Sequence, residues 1–265
     1  MRDASVGFQC PDCVKDGARS GRTPSAAYGG SAVDQPRVTQ VLLGINVLLF
    51  VLTTVGGSGF LFGGGSSALF EKLALAPTIH GAVSSGGVVA ADGVAQGQYY
   101  RLLTSMFLHF GIVHIALNMY VLYLVGPSLE RAVGRLRYVA LYLLAGLGGA
   151  ATSYALGPPN EQAAGASGAI FGLFAALFVL QRRRGGDISS IAVTIGLNLV
   201  LGLTISSIDI RAHLGGLVAG GITAFALVYA PAGRRRALVQ IGGCVAVALV
   251  VVAVVAVRTA QLTAV

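Results

Sequence analysis

One serine lies where its hydroxyl group has a clear chemical use. Ser167 stands in the sequence GASG (165–168), at the start of an apolar stretch (168–181) that ends at three consecutive arginines. A helix of about 14 residues is about 21 Å long, whereas the hydrocarbon core of a bilayer is about 30 Å thick. If the arginines hold one end of this helix at a membrane surface, Ser167 lies inside the membrane. We therefore interpret Ser167 as a candidate nucleophile.

Three other polar residues, His114, Asn118 and His213, are candidates for the same site. A serine hydroxyl is a weak nucleophile until a neighbouring base accepts its proton, and imidazole titrates near neutral pH, so His213 is the candidate general base. A tetrahedral intermediate needs donors for its oxyanion, and the backbone N–H of Ser167 with the side chains of His114 and Asn118 can supply them. The nearest acid is Asp209, four residues before His213 at the exposed outer edge. The pattern therefore favours a Ser–His dyad over a triad.

The composition defines the elements that must position these residues. The chain is 55% hydrophobic and only 11% charged, with a mean hydropathy of +0.77, which is typical of membrane proteins and not of soluble domains. Seven long apolar stretches are present, at 38–55, 111–127, 138–156, 168–181, 188–206, 212–230 and 237–257. They lack the alternation of barrel strands, and only helices and closed barrels satisfy their backbone groups in lipid. The sequence predicts an all-α polytopic membrane protein.

The basic residues predict the orientation of these spans. Of 18 Lys and Arg residues, 14 precede the first span or follow spans two, four and six. Positively charged loops stay in the cytoplasm, so we expect the N-terminus inside the cell membrane and the C-terminus outside. The net charge of +8 is then a topology signal and a contact for anionic lipid, rather than a sign of nucleic-acid binding. Spans two, four and six run in one direction, which brings Ser167 and its candidate partners to similar depth in the outer half of the bilayer.

The apolar stretches also divide the chain into regions. We expect a polar cytoplasmic segment that is mostly disordered, a six-helix core, and a basic linker with a seventh span, at 1–37, 38–230 and 231–265 respectively. Cys10 and Cys13 have the spacing of half a zinc site, but no other Cys or His lies nearby to complete it. We favour a turn without bound metal, and a metal or redox role is the alternative. The apolar stretch 99–110, which contains Arg101, fits the outer membrane interface.

Each of these features also has a purely structural interpretation. The sequence GASG occurs by chance in a chain with 38 glycines, and a histidine inside a membrane often only bridges helices. Gly165 and Gly168 can serve packing alone. Two GxxxG patterns, which let helix backbones approach closely, are present at Gly168/Gly172 and Gly216/Gly220. The same close approach would bring Ser167 within hydrogen-bond reach of His213, so the structural and chemical interpretations support each other.

Three motifs occur in this order along the chain: HFGIVHIALN at 109–118, GASG at 165–168 and AHLGG at 212–216. They match the patterns H-x4-H-x3-N, GxSG and AHxGG, and in this combination, over about residues 98–230, the chain resembles the rhomboid family of intramembrane serine proteases. The resemblance implies these site residues: Ser167 (nucleophile), His213 (general base), His114, Asn118 and Ser167 (oxyanion hole), and Gly165, Gly168 and Phe171 (supporting). Phe171 matches the aromatic position that stacks on the catalytic histidine.

The resemblance further implies a rhomboid-like six-helix bundle, to which the last apolar stretch adds a C-terminal transmembrane helix. The implied function is that of a serine endopeptidase that cleaves transmembrane segments of membrane proteins near their outer end. Its partners would be transmembrane protein substrates and the lipid bilayer, with no nucleic acid and no metal or organic cofactor. One departure is Tyr100-Arg101, which stands where the family often has Trp-Arg in a chain without tryptophan.

Two other functions are alternatives. A catalytically inactive rhomboid-like protein would bind membrane clients without cutting them, and such a protein would lack the nucleophile or the base, whereas Ser167 and His213 are both present. A small transporter that uses the histidines as a proton relay would need acidic partners in the spans, and the apolar stretches contain none. The sequence predicts neither the identity of the substrate nor the oligomeric state.

Overall fold

The described part of the chain is mostly α-helical. The computed structural model describes residues 2–3, 8–13, 25–54, 67–78, 83–84, 87–88, 93–205 and 208–264. The α-helices that build the fold are α1 (Arg37–Thr54), α2 (Ala68–Leu73), α3 (Tyr100–Thr104), α4 (Ile112–Val133), α5 (Arg135–Leu156), α6 (Ser167–Arg184), α7 (Ser189–Thr204), α8 (Ile210–Tyr229) and α9 (Arg236–Thr263). The described residues also include 3-10 turns at Val94–Gln96 and Ser105–Phe107 and two short antiparallel hairpins, β1 (Arg2–Asp3) with β2 (Phe8–Gln9) and β3 (Val83–Ser84) with β4 (Gly87–Val88).

Five helices among the described residues are long and apolar enough to cross a membrane, namely α1, α4, α5, α8 and α9. They confirm the prediction of an all-α polytopic membrane protein. The other two predicted spans are shorter or less apolar, since α7 has 16 residues and α6 has 18 residues of which the last three are arginines. The helix that begins at Ser167 is therefore about 27 Å long, and its apolar part is shorter than the hydrocarbon core.

The arginine-rich loops gather at one end of the bundle, which we call the basic end. At the end of α6, the guanidinium group of Arg184 lies 6.0 Å from the ring centre of Tyr28. That of Arg183 lies 5.0 Å from the ring centre of Tyr229, the last residue of α8. Ser167 begins α6 at the opposite end, which we call the cavity end. The gathered arginines agree with loops on one side of the membrane, and the orientation relative to the cell stays a prediction.

Small residues let α6 and α8 pack backbone against backbone, and α5 packs against both. A Cβ atom on Gly216 would overlap the carbonyl oxygen of Gly168, and one on Gly220 would overlap the backbone of Gly172. The two GxxxG patterns of the sequence therefore meet each other. Contact this close brings the candidate nucleophile at the start of α6 beside the candidate base in the first turns of α8.

A buried carboxylate holds the start of α1. Glu130 of α4 is fully buried. It accepts hydrogen bonds from the backbone N–H groups of Val38 (3.1 Å) and Thr39 (2.8 Å) and from the Thr39 hydroxyl group (2.8 Å). A negative charge is favourable at a helix N-terminus, which explains how an acid is kept here. Glu130 belongs to α4 because this helix continues through Pro127 to Val133. The apolar stretch in the sequence predicted that the helix ends at residue 127.

Residues 25–36 pack against the basic end, so the prediction of disorder is wrong for this part of the N-terminal segment. Tyr28 donates its backbone N–H to the carbonyl of Ala132 at 3.2 Å. Its own carbonyl accepts from Gln240 Nε2 of α9 at 2.8 Å, and the buried Gln240 accepts from Arg137 Nε of α5 at 2.7 Å. These bonds join the segment to α4, α5 and α9. Disorder was also predicted for residues 1, 4–7 and 14–24, which lie outside the described residues.

Candidate active site

A cavity of about 610 Å³ lies among α4, α5, α6, α7 and α8. Its lining includes the four residues whose chemistry was predicted from the sequence: His114, Asn118, Ser167 and His213. Asn118 and His213 are buried, whereas His114 and Ser167 are half-buried. Three separate helices therefore bring these four side chains to one space at the cavity end.

Ser167 is the first residue of α6, and a glycine shapes the turn before it. Gly165 has a φ of +146°, a conformation that side chains rarely adopt. A Cβ atom on Gly165 would lie 3.0 Å from His114 Nε2 and 3.5 Å from Ser167 Oγ, so those two side chains face the same small space. Within the described residues no side chain caps this end of α6, which leaves the backbone N–H of Ser167 available to the cavity.

The ring of His213 lies against Phe171. The two rings stack with their centres 4.1 Å apart and their planes 14° from parallel, which is the contact that the family resemblance implied. Nδ1 of His213 is buried and has no hydrogen-bond partner in the described structure, so Nε2 is the nitrogen available to a partner in the cavity. Among the hydrogen bonds of the described residues, none joins His213 to Ser167. Both residues line the same cavity.

His114 lies between two rings of the preceding loop. His109 contacts it edge-on with ring centres 5.0 Å apart, and Phe110 stacks on it at 6.1 Å. One turn further along α4, Asn118 donates one amide hydrogen to the carbonyl of His114 at 2.9 Å. A side-chain amide carries two hydrogens, so the second hydrogen of Asn118 and the imidazole N–H of His114 remain as donors for an anion.

Asp209 caps the start of α8 and does not bind the His213 side chain. Its carboxylate accepts from the backbone N–H groups of Arg211 (3.1 Å) and Ala212 (3.4 Å), and its other oxygen accepts from the Ser153 hydroxyl group. The Asp209 side chain is only 17% exposed, so the prediction that it lies at the exposed outer edge is wrong. Its bonds go elsewhere, so Asp209 does not orient the His213 ring in this structure, and the dyad stays a prediction.

Arg101 has a structural role that sequence reasoning missed. It was predicted to anchor the outer interface, but it is buried, at 4% exposed. Its guanidinium group donates to Gln98 Oε1 (2.6 Å) and to the carbonyls of Glu71 (2.6 Å) and Ala74 (2.8 Å). Arg101 therefore ties α3 to the end of α2. The available signal was an arginine in an apolar stretch, which needs several acceptors wherever it is buried.

Cys10 and Cys13 lie next to each other at the surface. Their Sγ atoms are 2.8 Å apart, and this hydrogen bond lowers the pKa of Cys10 and raises the pKa of Cys13. Over the described ranges, no cluster of three or more metal-binding side chains includes this pair.

Comparison with known proteins identifies the family. The sequence profile of the Rhomboid domain matches residues 96–230, about half of the chain. The chain belongs to the rhomboid family. The matched range contains helices α3 to α8 and all four of the polar residues that were predicted to share a site.

Several rhomboid relatives are similar over much of the chain. Rhomboid protease GluP of Bacillus subtilis (strain 168) is 35% identical over 204 residues, which are 75% of this chain and 36% of that protein. Putative rhomboid protease YdcA of the same organism is 36% identical over 141 residues, 51% of this chain and 71% of that protein. RHOMBOID-like protein 5 of Arabidopsis thaliana is 32% identical over 169 residues, 61% of this chain and 54% of that protein. The chain thus spans about a third of the length of GluP.

Proposed function

We propose that this rhomboid chain is a serine endopeptidase that cleaves transmembrane segments of membrane proteins within the membrane, near their outer end. One observation carries the proposal: Ser167, His213, His114 and Asn118 line a single cavity. Relatives that are named as proteases support the same activity. The chemistry needs no metal or organic cofactor, since the side chains supply both the nucleophile and the base.

In the proposed reaction, His213 is the general base. Nε2 accepts the proton of Ser167 Oγ as this oxygen attacks the carbonyl carbon of the scissile bond. The imidazolium then gives this proton to the leaving amine, which departs and leaves an acyl-enzyme. Water that is activated by the same imidazole hydrolyses the acyl group. Stacking on Phe171 fixes the plane of the ring, a task that a carboxylate performs in a triad.

The proposed oxyanion hole combines three donors. They are the backbone N–H of Ser167, the imidazole N–H of His114 and the second amide hydrogen of Asn118. The start of α6 adds the positive end of a helix dipole. Gly165 supports this arrangement because a larger residue would displace the His114 ring. Gly168 supports it by allowing α8 to approach α6 closely.

The position of the cavity limits the substrates that we expect. A scissile bond reaches Ser167 only if the substrate segment leaves its helical conformation, since a helix buries its own backbone groups. Unpaired backbone groups are costly in lipid, so glycine and other helix-breaking residues near the cut should favour cleavage. Glu161 and Gln162 in the cavity wall make part of it polar, which admits the water that hydrolysis consumes.

The alternative function is that of a catalytically inactive rhomboid-like protein that only binds membrane clients. Such a protein keeps the helices and the cavity but has no need of a serine and a histidine in the wall of that cavity. A proton-relay transporter is disfavoured for a different reason. Helix α4 does contain a buried acid, Glu130, but it lies at the basic end and binds the start of α1 rather than a histidine.

The deciding experiment uses the purified full chain in liposomes with a panel of reporters, each with a single membrane-anchored segment. We expect wild type to cut at least one reporter, and Ser167→Ala and His213→Ala each to abolish cleavage. The double variant should be no worse than either single one, because the pair acts as a unit. Ser128→Ala, on the exposed side of α4 towards the basic end, is the control and should cut normally. Strong proteolysis by Ser167→Ala would exclude the proposed mechanism.

A further inference from the structure

Asp209 accepts four hydrogen bonds, although the proposed reaction does not use it. Oδ1 accepts from the backbone N–H groups of Arg211 (3.1 Å) and Ala212 (3.4 Å) and from Arg211 Nε (2.9 Å). Oδ2 accepts from the hydroxyl group of Ser153 on α5. Capping the start of α8 requires only the bonds to the backbone. The bond to α5 therefore needs a separate explanation.

This bond fixes the first turn of α8 against the helix beside it. Ser153 is buried, at 5% exposed, and precedes Asp209 by 56 residues. Arg211 extends the same network, because its guanidinium group binds the Glu161 carboxylate at 2.9 Å. Glu161 belongs to the loop that leads to Ser167. The network thus connects the start of α8 both to α5 and to the segment before the nucleophile.

His213 follows Asp209 by one helical turn. Its backbone N–H donates to the Asp209 carbonyl at 3.3 Å. Its Nδ1 is buried without a partner in the described structure, so no carboxylate orients the ring. The place of the imidazole is then set by stacking on Phe171 and by the position of the α8 backbone. Any bond that holds the first turn of α8 also sets where the imidazole lies relative to Ser167.

We propose that Asp209 is a positioning residue: its carboxylate holds the first turn of α8 against Ser153 and thereby places His213 within reach of Ser167. This inference rests on the proposed function, because it requires a working Ser167–His213 pair. Asp209 also lines the cavity, but both of its oxygens are occupied by these bonds, so in this proposal it acts through geometry and transfers no proton. Its negative charge is therefore less important than its hydrogen bonds.

Three variants separate position from charge and from helix capping. Asp209→Ala removes all four bonds. Asp209→Asn keeps an acceptor for the backbone N–H groups and an amide that can bond to Ser153, but removes the charge. Ser153→Ala removes only the bond to α5. The matched control is Asp187→Ala, because Asp187 accepts from the Ser189 backbone N–H (2.9 Å) at the start of α7, near the basic end.

The readouts are the rate at which a fluorophosphonate labels Ser167 in the purified full chain, and kcat and KM for a cleaved reporter. We expect Asp209→Ala to lower the labelling rate and kcat by about 10-fold or more with KM unchanged, since a misplaced base slows only the chemical step. Ser153→Ala should lower both by about threefold to 10-fold for the same reason. Asp209→Asn should stay within about threefold of wild type, and Asp187→Ala should match wild type.

Several results would overturn the inference. Labelling of Asp209→Ala at the wild-type rate would show that the bonds do not position the base, and loss of labelling in Ser167→Ala would still support the proposed function. Equal losses in Asp209→Asn and Asp209→Ala would show that the charge acts instead. If Asp209→Ala does not fold, Ser153→Ala tests the inference instead. A stably folded Ser153→Ala that is labelled at the wild-type rate would show that Asp209 only caps α8 and does not position His213. A wild-type chain that neither reacts nor cleaves would remove the proposed function and this inference with it.

Discussion

At the residue scale, Phe171 stacks on His213, and in the proposed mechanism this contact takes the place of the bond that orients the base in a triad. Phe171→Leu keeps an apolar side chain but removes the ring. An aromatic pair contributes about 0.5–1.5 kcal/mol, so we expect kcat to fall by about 2- to 12-fold with little change in KM. Phe225→Leu on α8 is the control, because Phe225 is exposed and stacks on Tyr229 (ring centres 4.6 Å apart). Equal losses in both variants would indicate a general effect on α8.

Asn118 and Asn198 form a matched pair for testing the oxyanion hole. Each amide donates to the carbonyl four residues earlier in its own helix, at 2.9 Å and 2.8 Å, and each lines the cavity. Only Asn118 lies one turn from His114, so Asn118→Ala should lower kcat by about 10²- to 10³-fold, which is typical of a lost oxyanion donor. Asn198→Ala should change kcat little, and Asn118→Ala should keep slow fluorophosphonate labelling. A fully active Asn118→Ala would show that Asn118 is not an oxyanion donor and that its side chain only bonds to the His114 carbonyl within α4.

At the scale of helices, the contact of α6 with α8 depends on single glycines. Gly220→Ala places a methyl group against the backbone of Gly172, whereas Gly221→Ala on the same turn meets only the Ala175 methyl at an ordinary 3.5 Å. We expect Gly220→Ala to lower the free energy of unfolding by about 1–3 kcal/mol, as overpacking does. Gly221→Ala should be neutral or stabilising, since alanine favours helix. Thermal unfolding in detergent measures both, and a tolerated Gly220→Ala would contradict this packing.

The sequence predicted the helices better than their ends. Apolar stretches locate helices in a membrane protein because lipid leaves the backbone no other partner. They do not locate the ends, since an end depends on hydrogen bonds that form across the fold. Helix α4 runs past its apolar stretch to Val133, where Glu130 meets the start of α1. Nothing local to residue 130 shows that partner, which is 92 residues away at Val38.

The same limit applies to the candidate site. Topology alone placed Ser167, His114, Asn118 and His213 at one depth, and the cavity contains all four. The partner of Asp209 was not predictable, because Ser153 lies on another helix and carries no local signal for this role. The sequence therefore indicated which polar residues lie within the membrane, because such residues are rare and costly there. It did not indicate the hydrogen bonds between helices, such as the one from Ser153 to Asp209.

At the scale of the whole molecule, the basic end gives a test of orientation. A reporter fused after Val265 should lie outside the cell, and one inserted in the loop at 185–188 should lie in the cytoplasm. This follows from the excess of arginine at the basic end, which the positive-inside rule places in the cytoplasm. Paired reporters that are active on only one side of the membrane measure both positions. A cytoplasmic C-terminus would mean that α9 does not span or that the whole molecule is inverted.

The carboxylate of Glu130 also sets a sequence of events during synthesis. Helix α1 emerges from the ribosome first, but the group that caps its start follows 92 residues after Val38. At about 5–20 residues per second, the ribosome needs about 5–18 seconds to supply it. For that interval the start of α1 lacks the carboxylate that caps it in the fold, so its first backbone N–H groups need other partners. Synthesis of residue 130 supplies the cap, so a pause in translation before it would prolong the time during which the start of α1 is uncapped.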